Sequence, residues 1–282
     1  MNLQNIFSEI ENVDPEVYEK IDSRRHIMRR LASMSGKVAL ASIPFAIGSI
    51  FQKAYGRNTD AITDVLQFAL TLEYLEAEFY VKGNAAPGLI PAADQPAFQS
   101  ISAHETAHVN FLKTTITSLG QTPVAKPNFD FTAGSGSMAG PFLGVFTNYT
   151  IFLAVSQTFE DTGVRAYKGQ ATALQGNPTV LSAALRIHSV EARHASHVRY
   201  IRQKLGAAVK PWITLNQSGI PAPYASAVQP SYNGEEAVAQ GNPAVTITGI
   251  GGQAISANAA SESFDEPLTR AQVLSIVTPF IY

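Results

Sequence analysis

The chain has 282 residues, 45% of them apolar and 15% charged, with a net charge of −2 and no cysteine. Such a length and apolar share suffice for a large core in one or two domains. The near-neutral charge carries no basic, aromatic-interleaved stripe, so no nucleic-acid partner is expected, and the lack of cysteine excludes disulfides, zinc–thiolate sites, thiolate-held iron–sulfur clusters and a built-in rubredoxin-like electron donor.

Residues 1–56 read as an acidic leader followed by a basic segment. In the first 22 residues Glu9, Glu11, Asp14, Glu16, Glu19 and Asp22 face Lys20 alone. Ser23-Arg24-Arg25-His26-Ile27-Met28-Arg29-Arg30 then precedes an uncharged run from Val38 to Phe51, broken by Pro44 and Gly48. Paired arginines before a short apolar run resemble a twin-arginine export signal, which implies export to a bacterial periplasm. The run is short of the roughly 20 residues a membrane span needs. The long acidic leader, and the lack of a clean A-x-A cleavage site before Arg57, fit an alternative: an amphipathic N-terminal arm packing on the bundle or a partner.

Residues 57–206 carry four helical patterns. The first starts at an Asn58, Thr59 or Asp60 cap and ends at Gly83, with Ile62, Leu66, Ala69, Leu70, Glu73, Glu76, Ala77 and Tyr80 along its inward stripe. The second is capped by Asp94 and stops at Gly120. About twenty residues rich in Pro, Gly, Ser and Thr follow, through Gly140, too many for a tight hairpin and suited to a crossover. The third pattern begins near Pro141 with Phe142, Leu143, Val145 and Phe146 and runs to Gly169. The fourth opens at Asn177-Pro178, a cap followed by proline at the first helical position, and fades at Leu205-Gly206.

From residue 207 the composition shifts to Pro, Gly, Ser, Asn and Ala, including Trp212 and Pro221-Ala222-Pro223-Tyr224. Extended structure laid over the bundle is expected here, with a short β hairpin near Val245-Thr246-Ile247-Thr248. Residues Asp265 to Val277 return to helical periodicity, and Leu268, Val273, Leu274, Ile276 and Val277 need a surface to cover. That surface is either the bundle's own outside or a second copy or partner protein reached through the terminal extensions.

The chemistry concentrates in two Glu-x-x-His motifs, Glu105 with His108 and Glu191 with His194. Residues three apart share a helix face, so each pair presents a carboxylate and an imidazole to one point. The segments repeat: Ile101-Ser102-Ala103-His104-Glu105-Thr106-Ala107-His108 aligns with Ile187 to His194. Upstream, Glu73 lies seven residues before Tyr80 and Glu160 seven before Tyr167. The order Glu, Glu-x-x-His, Glu, Glu-x-x-His, with 32 residues from Glu73 to Glu105 and 31 from Glu160 to Glu191, is that of a duplicated helical hairpin. Four carboxylates and two imidazoles converging in a bundle suit a pair of metal ions such as iron or manganese. Glu76 rivals Glu73 one turn on, but only Glu73 matches Glu160. As a partner of the ligands, or a shifting ligand, Glu76 keeps a place beside them. Asp161 points about 100° from Glu160 and belongs to an outer face or a supporting role. His104, His188 and His197 lie outside the set of six; His188 and His197 could lie along the same stripe, as histidines capping the bundle or as supports for the ligands. Tyr80 and Tyr167, two turns from their glutamates, either pack in the core with bonded hydroxyls, donate to a ligand carboxylate, or carry a transient oxidising equivalent.

This ligand order resembles that of the ferritin-like superfamily, in which two helices give one Glu each and two give Glu-x-x-His. Phe68-Ala69-Leu70-Thr71-Leu72-Glu73-Tyr74-Leu75-Glu76-Ala77-Glu78-Phe79-Tyr80 is similar to the exported ferritin-like-domain family that includes desiccation-related proteins. The resemblance covers residues 57 to 206. It implies an all-α, four-helix bundle with a long crossover between helices two and three. It also implies two iron or manganese ions, with Glu105 and Glu191 bridging, Glu73 and Glu160 terminal, and His108 and His194 one to each ion. An oxidoreductase of ferroxidase, peroxidase or catalase type would follow, acting on dioxygen or peroxide with an external electron donor, in a role such as stress protection. A metal-sequestering protein and a structural or interaction subunit on the same scaffold are the alternatives; four unmetallated carboxylates facing a core would be costly for the latter.

Overall fold

A computed structural model describes residues 59–241 and 243–282. The acidic leader, the paired arginines and the apolar run after them lie outside the described residues. Among the described residues four long helices dominate: α1 (Thr59–Ala85), α2 (Gln95–Ser118), α3 (Tyr149–Gln170) and α4 (Pro178–Lys204). The first packs along the second and the third along the fourth, two hairpins joined by the long crossover. The protein is an all-α four-helix bundle with an irregular C-terminal extension. Among the described residues no helix is long and apolar enough to cross a membrane.

The helix ends follow local chemistry. Asn177 accepts from the Val180 N–H through its side chain, ahead of Pro178 in the first turn. Past α2 the chain turns left-handed at Gly120, and the Gln121 and Gly120 N–H groups bond back to Ile116 and Thr117, closing the helix with two of its free carbonyls satisfied. Asp94 occupies the cap position of α2 but makes no capping bond; its carboxylate accepts from the Tyr149 hydroxyl at 2.8 Å instead.

The boundary that departs furthest from the sequence expectation is the start of the third helix. The third helix starts at Tyr149, not near Pro141, because Asn148 caps the Thr150 and Ile151 N–H groups. Phe142 and Val145 are buried, but in turns. Phe142 stacks on Phe280 from the chain end, so its apolarity serves the crossover's contact with the C-terminus rather than a helical face. Asp130 organises that crossover: its carboxylate accepts from the backbone of Thr132, Gly136 and Met138.

The extension contains α5 (Ala225–Val228), a two-residue antiparallel hairpin of β1 (Ala239–Gln240) and β2 (Val245–Thr246), α6 (Ala257–Ser261) and α7 (Arg270–Val277). It covers the outside of α3 and α4. Leu268, Val273 and Val277 are buried, and the Leu268 N–H bonds to the Arg165 carbonyl. A Cβ on Gly169 would lie 1.9 Å from the Leu268 carbonyl oxygen, so only glycine admits that approach. Buried charges hold the cover down. Arg165 donates to the Ser231, Asn233 and Glu266 carbonyls and pairs with Glu235 at 2.6 Å. Arg199 pairs with Asp161 through two bonds, and Tyr232 donates to the same carboxylate at 2.8 Å. With one flank on the bundle core and the other under the extension, α3 is buried from Ile151 through Tyr167.

Candidate metal centre

Each long helix brings part of one buried cluster. Glu73 comes from α1, Glu105 and His108 from α2, Glu160 from α3, and Glu191 and His194 from α4. All four glutamates are fully buried, and His108 and His194 nearly so. Their ligand atoms fall into two overlapping groups, Glu73, Glu105, His108 and Glu191 in one and Glu105, Glu160, Glu191 and His194 in the other, each within 4.8 Å. The two shared residues divide their oxygens. His108 Nδ1 lies 3.1 Å from Glu105 Oε2 and 3.1 Å from Glu191 Oε1. His194 Nδ1 lies 2.8 Å from Glu105 Oε1 and 4.0 Å from Glu191 Oε2. Glu73 Oε2 is 3.1 Å from His108 Nδ1, and Glu160 Oε2 is 3.3 Å from His194 Nδ1.

His108 Nδ1 bonds to Glu73 and Glu105, but most of the other ligand atoms are near one another without satisfying one another. Glu105 Oε1, Glu160 Oε2, both oxygens of Glu191 and His194 Nδ1 are buried with no hydrogen-bond partner, although His194 Nδ1 and Glu105 Oε1 are well within bonding distance. Proximity without alignment is what donors that face a common point show. Buried polar atoms in native cores are otherwise almost always bonded, and each orphan costs about 1–3 kcal/mol. The donor set, carboxylate-rich with two imidazoles, suits iron or manganese, and the clusters could hold metal ions.

The electrostatics agree. Burial pushes Glu73 up to about 7 against the pull of His108. Burial, then Glu105 and Glu73, raise Glu191 well above the usual carboxylate range. At Glu105 burial is outweighed by His108 and His194, which hold it below that range. Burial opposes charge on the imidazoles, yet Glu73 and Glu105 raise His108 well above its usual value and Glu160 and Glu105 raise His194 to about 10. Protons neutralise the cluster where no cation does, and a cation must displace them.

The tyrosines cross over between halves of the repeat. Tyr80 donates to Glu160 Oε1 and Tyr167 to Glu73 Oε1, each at 2.5 Å, so each phenol fixes the carboxylate of the other hairpin. Burial and the accepting glutamate raise both phenols well above their usual value, so they stay protonated donors. Glu76 is buried beside the cluster without joining either group of ligand atoms. Its carboxyl is raised well above the usual range by burial, then by Glu191 and Glu160.

His188 and His197 are not brought into either group. His188 Nδ1 bonds to the Val164 carbonyl at 3.0 Å, tying α4 to α3, and exposed His197, one turn past His194, lies against Tyr200. The residue that sequence reasoning set aside is His104. Its Nδ1 lies 2.9 Å from His194 Nε2, with the two rings nearly parallel. Burial, then His194, push it down to about 4, which keeps it neutral. Asp161, adjacent to Glu160, faces away from the cluster into the pairing with Arg199.

A four-helix bundle whose core joins four carboxylates and two imidazoles in overlapping four-ligand groups defines a class of carboxylate-rich, metal-capable bundle proteins. The family model described as a ferritin-like domain matches residues 61–204, and the chain belongs to that family. No curated protein matches it.

Proposed function

We propose that the protein is a dimetal-carboxylate oxidoreductase that holds two ions of iron or manganese and acts on dioxygen or peroxide. The observation that carries this reading is the division of the Glu105 and Glu191 carboxylates, one oxygen of each toward His108 and the other toward His194. Glu105 and Glu191 would bridge, with Glu73 and His108 completing one position and Glu160 and His194 the other. When bound, such ions supply redox-active Lewis-acid centres able to activate dioxygen or peroxide.

The chain's own residues prepare that chemistry. Tyr80 and Tyr167 hold the terminal carboxylates by short hydrogen bonds and limit their swing. Full burial of the four glutamates excludes bulk water from the acid cluster. With no cysteine for a thiolate-bound redox centre, the electrons come from an outside donor. The Arg24-Arg25 and Arg29-Arg30 pairs support export, so a periplasmic site of action belongs to the same proposal.

The test is turnover by protein loaded with iron or with manganese, followed as consumption of dioxygen and of peroxide, beside a Glu191→Gln variant. Turnover by the loaded protein that disappears in the variant is expected. Full loading with no consumption of either oxidant contradicts the oxidoreductase and leaves a sequestering protein.

A further inference from the structure

Two polar side chains beside the cluster, Glu76 and His104, have no polar counterpart in the other half of the repeat, and both of these breaks fall on one side. Offset by the same interval that relates Glu73 to Glu160 and Tyr80 to Tyr167, Glu76 corresponds to Gly163. Offset by the interval that relates Glu105 to Glu191 and His108 to His194, His104 corresponds to Val190. The ligands and tyrosines are therefore duplicated while these two pairs are not.

Each break has a visible consequence. His194 has an imidazole at its outer nitrogen, with His104 Nδ1 at 2.9 Å from His194 Nε2. The corresponding valine offers no hydrogen bond, and among the described residues every polar contact of His108 runs through its Nδ1. When a metal takes His194 Nδ1, the ring proton resides on Nε2, and His104 Nδ1 is placed to accept it. At the other break, a Cβ on Gly163 would sit 3.3 Å from Glu76 Oε1 and 3.4 Å from Glu191 Oε2. Glycine there makes room for a fifth carboxylate beside Glu191 Oε2, the oxygen that faces His194 rather than His108. Glycine inside a helix costs about 1 kcal/mol relative to alanine, so the space is not free.

We propose that the two metal positions are inequivalent, and that the position built on His194 binds first and most tightly because His104 orients its imidazole ligand. His104 is a positioning residue: it acts through His194 and touches neither ion. The extra carboxyl of Glu76 lies on the same side, next to Glu191 Oε2. The position built on His108 is the weaker and more exchangeable one.

The inference rests on the dimetal reading above, and its test separates the two. Metal-free protein is titrated with manganese(II) by calorimetry, and crystals grown with one equivalent are measured for anomalous scattering. Wild-type protein should bind in two resolved steps, with the single-equivalent peak beside His194 Nδ1. His104→Leu should weaken the tighter step about 10- to 100-fold and leave the weaker one unchanged, the usual scale for losing a ligand's outer hydrogen bond. His104→Asn, whose amide oxygen can still accept from Nε2–H, should stay within a few-fold of wild type. Two equal steps or an anomalous peak at His108 overturns the ranking of the two positions, and a His104→Leu variant that weakens both steps alike or neither overturns the role of His104, each while leaving the dimetal reading standing. Failure of the wild-type protein to bind any metal removes both.

Discussion

Glu160 and Asp161 are neighbours in sequence on α3, both buried and both acidic, and they meet opposite fates. On the outer side both Asp161 oxygens are bonded, by the Arg199 fork and the Tyr232 hydroxyl. On the inner side Glu160 Oε2 has no bond, and it shares its surroundings with Glu191, neither of whose oxygens has one. A buried carboxylate that finds a guanidinium acts as a structural clamp, here fastening the C-terminal extension to the bundle. A group of buried carboxylates that finds imidazoles, two phenols and one another, but no guanidinium or ammonium, calls for a cation. Partner chemistry separates the two roles; burial does not.

The contrast predicts opposite responses to removing a charge. Asp161→Ala strands the Arg199 guanidinium in a buried site, and denaturant unfolding should show a loss of about 3–5 kcal/mol, with metal content of the remaining folded protein unchanged. A loss below about 1 kcal/mol would mean that the outer network is not a clamp.

Acidity separates the faces next. Glu73 is raised from 4.5 to about 7 and His194 from 6.5 to about 10 in the folded metal-free protein. Both groups bind protons more tightly folded than unfolded. Their contribution is complete below the unfolded values and is lost as pH rises, through 4.5 to 7 for Glu73 and 6.5 to 10 for His194. Thermal melts of metal-free protein should therefore fall across pH 5 to 10. Metal affinity should rise over the same range, because binding displaces those protons. The gap between loaded and metal-free melting temperatures widens with pH; a constant gap would contradict the assignment of protons to the inner cluster.

Smaller effects sharpen the same picture. Tyr80→Phe and Tyr167→Phe each remove a hydrogen bond to a buried carboxylate, an interaction on the scale of about 1.5–3 kcal/mol when the acceptor is charged. Each should lower metal affinity, read by calorimetric titration, more than it lowers the stability of the metal-free fold. Smallest of all, Glu191→Gln in metal-free protein should change stability by less than about 1 kcal/mol, since the amide replaces a carboxyl that burial keeps protonated. In the same variant metal binding is lost, which a structural carboxylate would not show.

Much of this architecture could be read from spacing. Glu-x-x-His places two ligands on one helix face, the near-equal 32- and 31-residue intervals mark two hairpins, and the Pro/Gly-rich stretch before α3 marks the crossover. Those signals are local or periodic, and they concern what a helix presents. What escaped them depends on distant partners. The angle between Glu160 and Asp161 shows that Asp161 points outward, but outward means solvent only if nothing covers that face, and its cover includes Tyr232, 71 residues away. Phe142, Leu143, Val145 and Phe146 imitate a helical apolar stripe, whereas Asn148 and the C-terminal Phe280 hold that stretch in turns. His104 was visible as a departure from the repeat, a histidine where the second copy has Val190. Its bond to His194 is 90 residues long in sequence and appears only in three dimensions. The swapped tyrosines are alike in this: the repeat pairs Tyr80 with Glu73 and Tyr167 with Glu160, and the fold exchanges them.

The most direct test of the central claim is elemental analysis of protein purified from its native host, beside a Glu191→Ala, His194→Ala double variant prepared identically. The account predicts about two ions of iron or manganese per chain in the wild type, one for each of the two ligand groups, and their loss from a variant that remains folded. Wild-type protein that is folded and metal-free when taken from metal-replete cells would contradict it. The inner carboxylates would then need another partner, and the bundle would be a scaffold.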